Sequence, residues 1–109
     1  MSSSKEYADF IIEQLDTIDC IHSRKMMGEY ILYYREKIFG GIYDDRFLIK
    51  ITKSSRQLMP NASEEIPYNG AKPMLLVDNL DSKNFLNELI TGMYNELPLP
   101  KAKKKNPSK

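Results

Sequence analysis

Tryptophan is absent from this sequence, cysteine and histidine occur once each, and neither sign of charge dominates. Each shortage removes a class of protein. A single thiol, Cys20, excludes an internal disulfide framework, and Cys20 with His22 falls short of the four N or S ligands of a closed zinc site. Sixteen Lys and Arg against fifteen Asp and Glu leave a formal net charge of +1, so no strong overall field draws the chain to nucleic acid. No apolar run approaches the roughly 18 residues that cross a bilayer, and a membrane is not an expected partner. The opening Met-Ser-Ser-Ser-Lys-Glu has no apolar signal region, which points to a cytoplasmic chain. Neither a cofactor nor a metal is expected.

What is present is a 109-residue chain with 41% apolar and 28% charged residues, enough to bury one core. Its charge is unevenly placed. Residues 101–109 hold five Lys and no acid; taking those five from sixteen bases leaves eleven against fifteen acids in residues 1–100. The expected organisation is one folded domain over 1–100 followed by a Lys-rich disordered tail over 101–109.

Ser3 with Glu6 reads as a capping box, and Tyr7, Ile11, Leu15 and Ile18 recur at helical spacing, predicting a helix over about 4–17. A second stripe of Phe85, Leu86, Leu89, Ile90, Met93 and Leu97 behind Asp81 or Ser82 predicts a helix over about 82–96. Gly92 within it costs about 1 kcal/mol relative to Ala and suggests close packing against a neighbour. A short helix is expected over 54–59, before Pro60.

Between the helices the period changes to two. Segments 30–34, 37–43 and 46–51 are rich in β-branched and aromatic residues, and Arg35-Glu36 and Asp44-Asp45 separate them as tight hairpin loops. Residues 20–26 and 73–77 supply further strands. This order predicts an α+β fold, a two-layer sandwich with both long helices on one face of an antiparallel meander.

Uninterrupted two-residue hairpins pair Tyr34 with Lys37, Tyr33 with Ile38, Tyr43 with Arg46 and Ile42 with Phe47, and alternation then sorts the two faces. Ile31, Tyr33, Ile38, Gly40, Ile42, Phe47, Ile49 and Ile51 are expected under the helices. Tyr30, Leu32, Tyr34, Lys37, Phe39, Gly41, Tyr43, Arg46, Leu48 and Lys50 are expected on the reverse. So apolar a face needs cover. The candidates are a second copy of the chain or a regulatory protein, the tail or a long loop folding back, and nucleic acid stacked on the aromatics, with the Lys and Arg side chains of the face and the Lys-rich tail acting together on its phosphates. Acids at Glu36, Asp44 and Asp45 weigh against phosphate contacts.

The chemistry on offer is thin. Cys20 and His22 would share a strand face, but nothing nearby in sequence orients the imidazole, so no catalytic residue is assigned. Asp44-Asp45 is turn chemistry before it is a metal pair. Tyr68-Asn69-Gly70-Ala71-Lys72-Pro73 is a connection carrying an Asn-Gly turn, without the Gly-Lys-Ser/Thr of a phosphate loop.

The run Ser23-Arg24-Lys25-Met26-Met27-Gly28-Glu29-Tyr30, then Asp44-Asp45-Arg46-Phe47-Leu48-Ile49-Lys50, then Lys72-Pro73-Met74 resembles the N-terminal domain of the TfoX/Sxy competence regulators. The resemblance covers about residues 5–97 and is to the stand-alone form, without a second domain. It implies an α+β fold and a regulatory, protein-binding role without catalysis, linked to transcription or competence. The expected partner surface is Tyr30, Leu32, Tyr34, Lys37, Phe39, Tyr43, Arg46, Leu48 and Lys50, with Arg24 and Lys25 at its edge.

Overall fold

The first helix, α1 (Lys5–Gln14), starts where Ser4 accepts a hydrogen bond on Oγ from the Tyr7 amide at 3.2 Å. The cap is therefore Ser4; Ser3 lies outside residues 4–98, which this computed structural model describes, and so does the Lys-rich segment 101–109. The helix ends three residues earlier than its apolar spacing predicts. Beyond Gln14 the backbone tightens into i to i−3 bonds (Asp16 N–H to Glu13 O and Ile18 N–H to Leu15 O, both 3.1 Å), which still point Leu15 and Ile18 into the core.

Strands β1 (Ile21–Met26), β2 (Glu29–Tyr34), β3 (Lys37–Ile42) and β4 (Phe47–Ile49) follow as the expected meander. The β1–β2 turn is Met27-Gly28 and the β3–β4 turn Asp44-Asp45, with φ of 52°, 86°, 54° and 57°, the left-handed pair that matches strand twist. Next come α2 (Lys53–Leu58), capped by Thr52 and Ser55 reciprocally, β5 (Glu64–Glu65), β6 (Met74–Leu76), α3 (Lys83–Met93) and a 3-10 turn, Tyr94–Glu96. Two acidic residues carry no strand signal, so β5 is not foreseeable from composition. The sheet is open and antiparallel throughout, in the order β1-β2-β3-β4-β6-β5.

One layer of the fold is this sheet and the other is the helices. Ala8, Ile11 and Leu15 from the α1 end meet Leu86, Leu89, Ile90 and Met93 from α3 over Leu32, Phe39, Ile42, Phe47, Ile49 and Leu75. The α+β sandwich expected from the pattern is the observed fold. Each fully buried Leu, Ile or Phe contributes about 1.5–3 kcal/mol, so this cluster dominates the favourable side of folding.

Gly92 does not pack closely against anything. A Cβ built there meets no atom within 4 Å, and the residue is exposed. Gly92→Ala therefore adds helix propensity without a clash. We expect the urea midpoint to rise by the equivalent of about 1 kcal/mol at unchanged slope. A fall would mean that the glycine serves a contact.

One residue decides which way the sheet faces. Tyr34 pairs with Lys37 and Tyr33 with Ile38 as expected, but Leu32 pairs with Gly40, leaving Phe39 as an inserted residue. This β-bulge shifts the alternation of β2 and the start of β3 against the rest of the sheet. Tyr30, Leu32, Tyr34, Lys37 and Phe39, expected on the open face, lie instead on the helix side, where Leu32, Tyr34 and Phe39 are buried in the core. Ile31, Tyr33 and Ile38, expected in the core, turn to the open face and are half-buried; Ile51 is exposed. Gly40, Ile42, Phe47 and Ile49 face the helices as expected, because Ile42 pairs with Phe47 beyond the bulge.

Candidate functional site

The bulge leaves an open face of different composition from the expected one. On it stand His22 and Arg24 from β1, Ile31 and Tyr33 from β2, Ile38 and Gly41 from β3, Leu48 from β4, and Met74 and Leu76 from β6, with Tyr43, Arg46 and Lys50 at the strand ends. Of the residues assigned to partner contact from sequence, only Tyr43, Arg46, Leu48 and Lys50 keep that face. Lys37 is almost fully buried on the other side, donating from Nζ to the Tyr94 carbonyl at 3.0 Å with the Tyr94 ring 4.2 Å away. That ammonium meets the carbonyl of Tyr94, the C-cap residue of α3. Tyr34 packs edge-on against Tyr94, ring centroids 5.3 Å apart, and Tyr30 is half-buried against the core with the Lys25 ammonium 6.0 Å from its ring.

The segment from Ile66 to Pro73 arches over half of the open face, as a long loop folding back. Arg46 anchors it, with Nη1 on Glu65 Oε1 at 2.8 Å and longer contacts of 3.4 Å to the carbonyls of Ile66 and Pro67. Tyr43 and Leu48 are buried in this half; a Cβ on Gly41 would lie 2.6 Å from the Tyr43 ring, so the ring rests directly on the strand. Burial pushes the Tyr43 phenol above its ordinary value of 10.0, assisted by Tyr68, whose ring is 6.0 Å away. The Asn69-Gly70 turn forms as read, with Gly70 at φ 89° and the Ala71 amide bonded to the Tyr68 carbonyl at 3.0 Å.

Between the arch and the sheet lies a groove of about 900 Å³. Ile31, Ile38 and Met74 line its floor, Tyr68 and Pro73 its roof, and Lys50 and Lys72 also face it. Tyr68 is 63% and Ile66 52% exposed, so the arch presents apolar surface outward too. Sequence reasoning missed this groove. The sequence pattern makes its roof a plain connection and places Ile31 and Ile38 of its floor in the core.

The Arg46–Glu65 pair makes the arch sensitive to acid. Hydrogen bonding from Arg46 first, and then from Ser63, holds the Glu65 carboxyl below its ordinary value of 4.5. A depressed folded value contributes stability that is present above the unfolded pKa and is lost as pH falls through the folded one. Wild type should therefore exceed Glu65→Gln in thermal stability near neutrality, with the gap closing as pH drops below about 4.5. A gap independent of pH would show that the ion pair does not hold the arch.

Cys20 is exposed, precedes β1 and has φ 65°, and no cluster of three or more His, Cys, Asp or Glu suited to a metal occurs among the described residues. Arg24 and Lys25 are exposed on β1, at the sheet edge, Arg24 on the open side beside Ile31 and Lys25 on the helix side beside Tyr30. No helix among the described residues is long and apolar enough to cross a membrane.

A family model for the TfoX N-terminal domain matches residues 13–88, the stretch from the end of α1 through β6 into α3. The chain belongs to the TfoX N-terminal domain family. That family is not known as enzymatic. Within it, the chain is similar to an uncharacterised 12.7 kDa protein in the trpE 5′ region of Spirochaeta aurantia, at 31% identity over 105 residues, covering 95% of this chain and 91% of the relative. No solved structure matches the chain.

Proposed function

We propose that this TfoX N-terminal domain protein is a regulatory protein-interaction module that acts without catalysis, in transcriptional or competence control, and holds an apolar, acidic segment of its partner in the groove beneath the Ile66–Pro73 arch. The groove carries this reading. Its floor of Ile31, Ile38 and Met74 offers cover to apolar side chains, and the two lysines that face it, Lys50 and Lys72, favour a segment that carries negative charge. An exposed, unpaired Cys20 fits a reducing, cytoplasmic setting for the same role.

Selection of random twelve-residue peptides on the purified protein tests this. The expected result is enrichment of peptides combining Leu, Ile or Phe with Asp or Glu, and at least a tenfold loss of their affinity in Ile38→Asp, whose fold is retained because the side chain faces outward. Enrichment of basic peptides, or indifference to Ile38→Asp, would contradict it. Two other outcomes would replace the occupant: a dimer mass in light scattering that Ile38→Asp abolishes identifies a second copy, and steeply salt-dependent oligonucleotide binding identifies nucleic acid.

A further inference from the structure

The sheet has two edges of very different character. At one end β5 is two residues long, and its acids are tied down, Glu64 by Arg56 and Glu65 by Arg46. At the other end β1 runs for six residues, Ile-His-Ser-Arg-Lys-Met, without proline, and pairs with β2 in unbroken register from Ile21 to Met26. Met26 and Glu29 flank the two-residue turn as a hydrogen-bonded pair, so alternation directs the amide and carbonyl groups of Ser23 and Lys25 away from β2, along the free edge. Such a row of backbone groups is a template for another strand.

The side chains say which strand. Arg24 and Lys25 are exposed on opposite faces of β1, His22 is exposed beside Arg24, and the strand contains no acid. A second copy pairing β1 with β1 would bring like charges together, and pairing β1 with β5 would offer only two residues whose acids are already bridged. Charged edges guard against self-association; this one remains complementary to acidic chain.

The hairpin tip supplies a second, independent observation. Met27 occupies a left-handed conformation (φ 52°) where Asn or Gly would sit without strain, and its side chain is 98% exposed beside Met26, itself 43% exposed. The sequence accepts both backbone strain and two adjacent thioethers in water at the end of the basic edge.

We propose that the β1 edge receives an extended acidic segment of a partner by strand addition, with an apolar residue of that segment packing on Met26 and Met27. This surface is separate from the groove, and a partner could engage either alone.

The test uses the full chain and a synthetic peptide, acetyl-(Val-Glu)3-Leu-amide, with acetyl-(Val-Lys)3-Leu-amide as its control. Addition to β1 predicts that the acidic peptide slows amide hydrogen exchange at Ser23 and Lys25 and binds at least tenfold more tightly than the basic one. Ser23→Pro deletes an outward N–H without touching the β2 ladder, and Arg24→Glu/Lys25→Glu reverses the charge; each should lower affinity at least tenfold. Met27→Asn should raise resistance to denaturant yet weaken the peptide, a combination that a purely structural role for Met27 does not produce. Ile38→Asp should leave this binding unchanged, which separates it from the groove. Unaltered exchange at Ser23 and Lys25, protection confined to groove residues, or equal binding of the Lys peptide would each overturn the proposal. Should Ser23→Pro fail to fold, the exchange measurement on wild type still decides.

Discussion

Phe39→Ala is expected to lower the unfolding free energy by about 3–5 kcal/mol, whereas Ile38→Ala, one position earlier in the same strand, should cost about 1 kcal/mol or less. The difference comes from the bulge. Phe39 is fully buried and meets the Phe47 ring edge-on, centroids 6.5 Å apart, so truncation leaves a cavity beneath the helices as well as losing transfer free energy. Ile38 faces the groove and already meets solvent. Without the bulge, simple alternation would make Ile38 the core residue and reverse the ranking. Denaturant titrations of the two variants therefore report strand orientation through stability alone, and equal costs would argue against an inserted residue at Phe39.

Gly40→Ala is expected to be as severe, at about 3 kcal/mol or more, despite adding a single methyl group. A Cβ at Gly40 would stand 2.2 Å from the Leu48 carbonyl oxygen and 2.9 Å from the Ile49 Cα. Both are backbone atoms of the neighbouring strand, so no rotamer change relieves the contact; β3 and β4 must part. At Gly41 the nearest atoms to a Cβ are the Tyr30 carbonyl oxygen and the Tyr43 ring, both at 2.6 Å. The ring can move, at the expense of the arch above it, and the backbone oxygen of Tyr30 stands farther from a Gly41 Cβ, at 2.6 Å, than that of Leu48 does from a Gly40 Cβ, at 2.2 Å, so β2 and β3 need part less. Gly41→Ala should thus loosen the Tyr43 and Tyr68 contact while retaining more stability than Gly40→Ala, read as a smaller shift in denaturation midpoint together with faster proteolysis within residues 66–73. Equal midpoints for the two variants would show that strand separation is not what Gly40 prevents.

These two glycines also explain why the fold was legible in the sequence and the open face was not. The period-two runs, the Arg35-Glu36 and Asp44-Asp45 loops and the Ser82 stripe mark the elements, because each signal is local. Both hairpin pairings nearest those loops hold as well, Tyr34 with Lys37 and Tyr43 with Arg46. Between the two hairpins lies one extra residue, and a single insertion exchanges inside for outside over everything on one side of it. Gly40-Gly41 within an apolar strand was the available sign, since paired glycines there mark a bulge or a close approach of backbone. The arch was harder still. Its anchors, Arg46 to Glu65 and Tyr43 to Tyr68, join residues that only the finished sheet brings together, and its acidic strand Glu64–Glu65 has no pattern to read. Placing Lys50 on the open face was correct for a local reason, its position one residue beyond the inward Ile49.

The orientation of β2 against the helices is the fact on which the groove depends, and ring-to-ring nuclear Overhauser contacts in the unmodified protein test it most directly. The account predicts contacts of Tyr34 with Tyr94 and of Phe39 with Phe47, while Tyr33 contacts neither ring. Contacts of Tyr33 with Tyr94, and of Ile38 rather than Phe39 with Phe47, would contradict it.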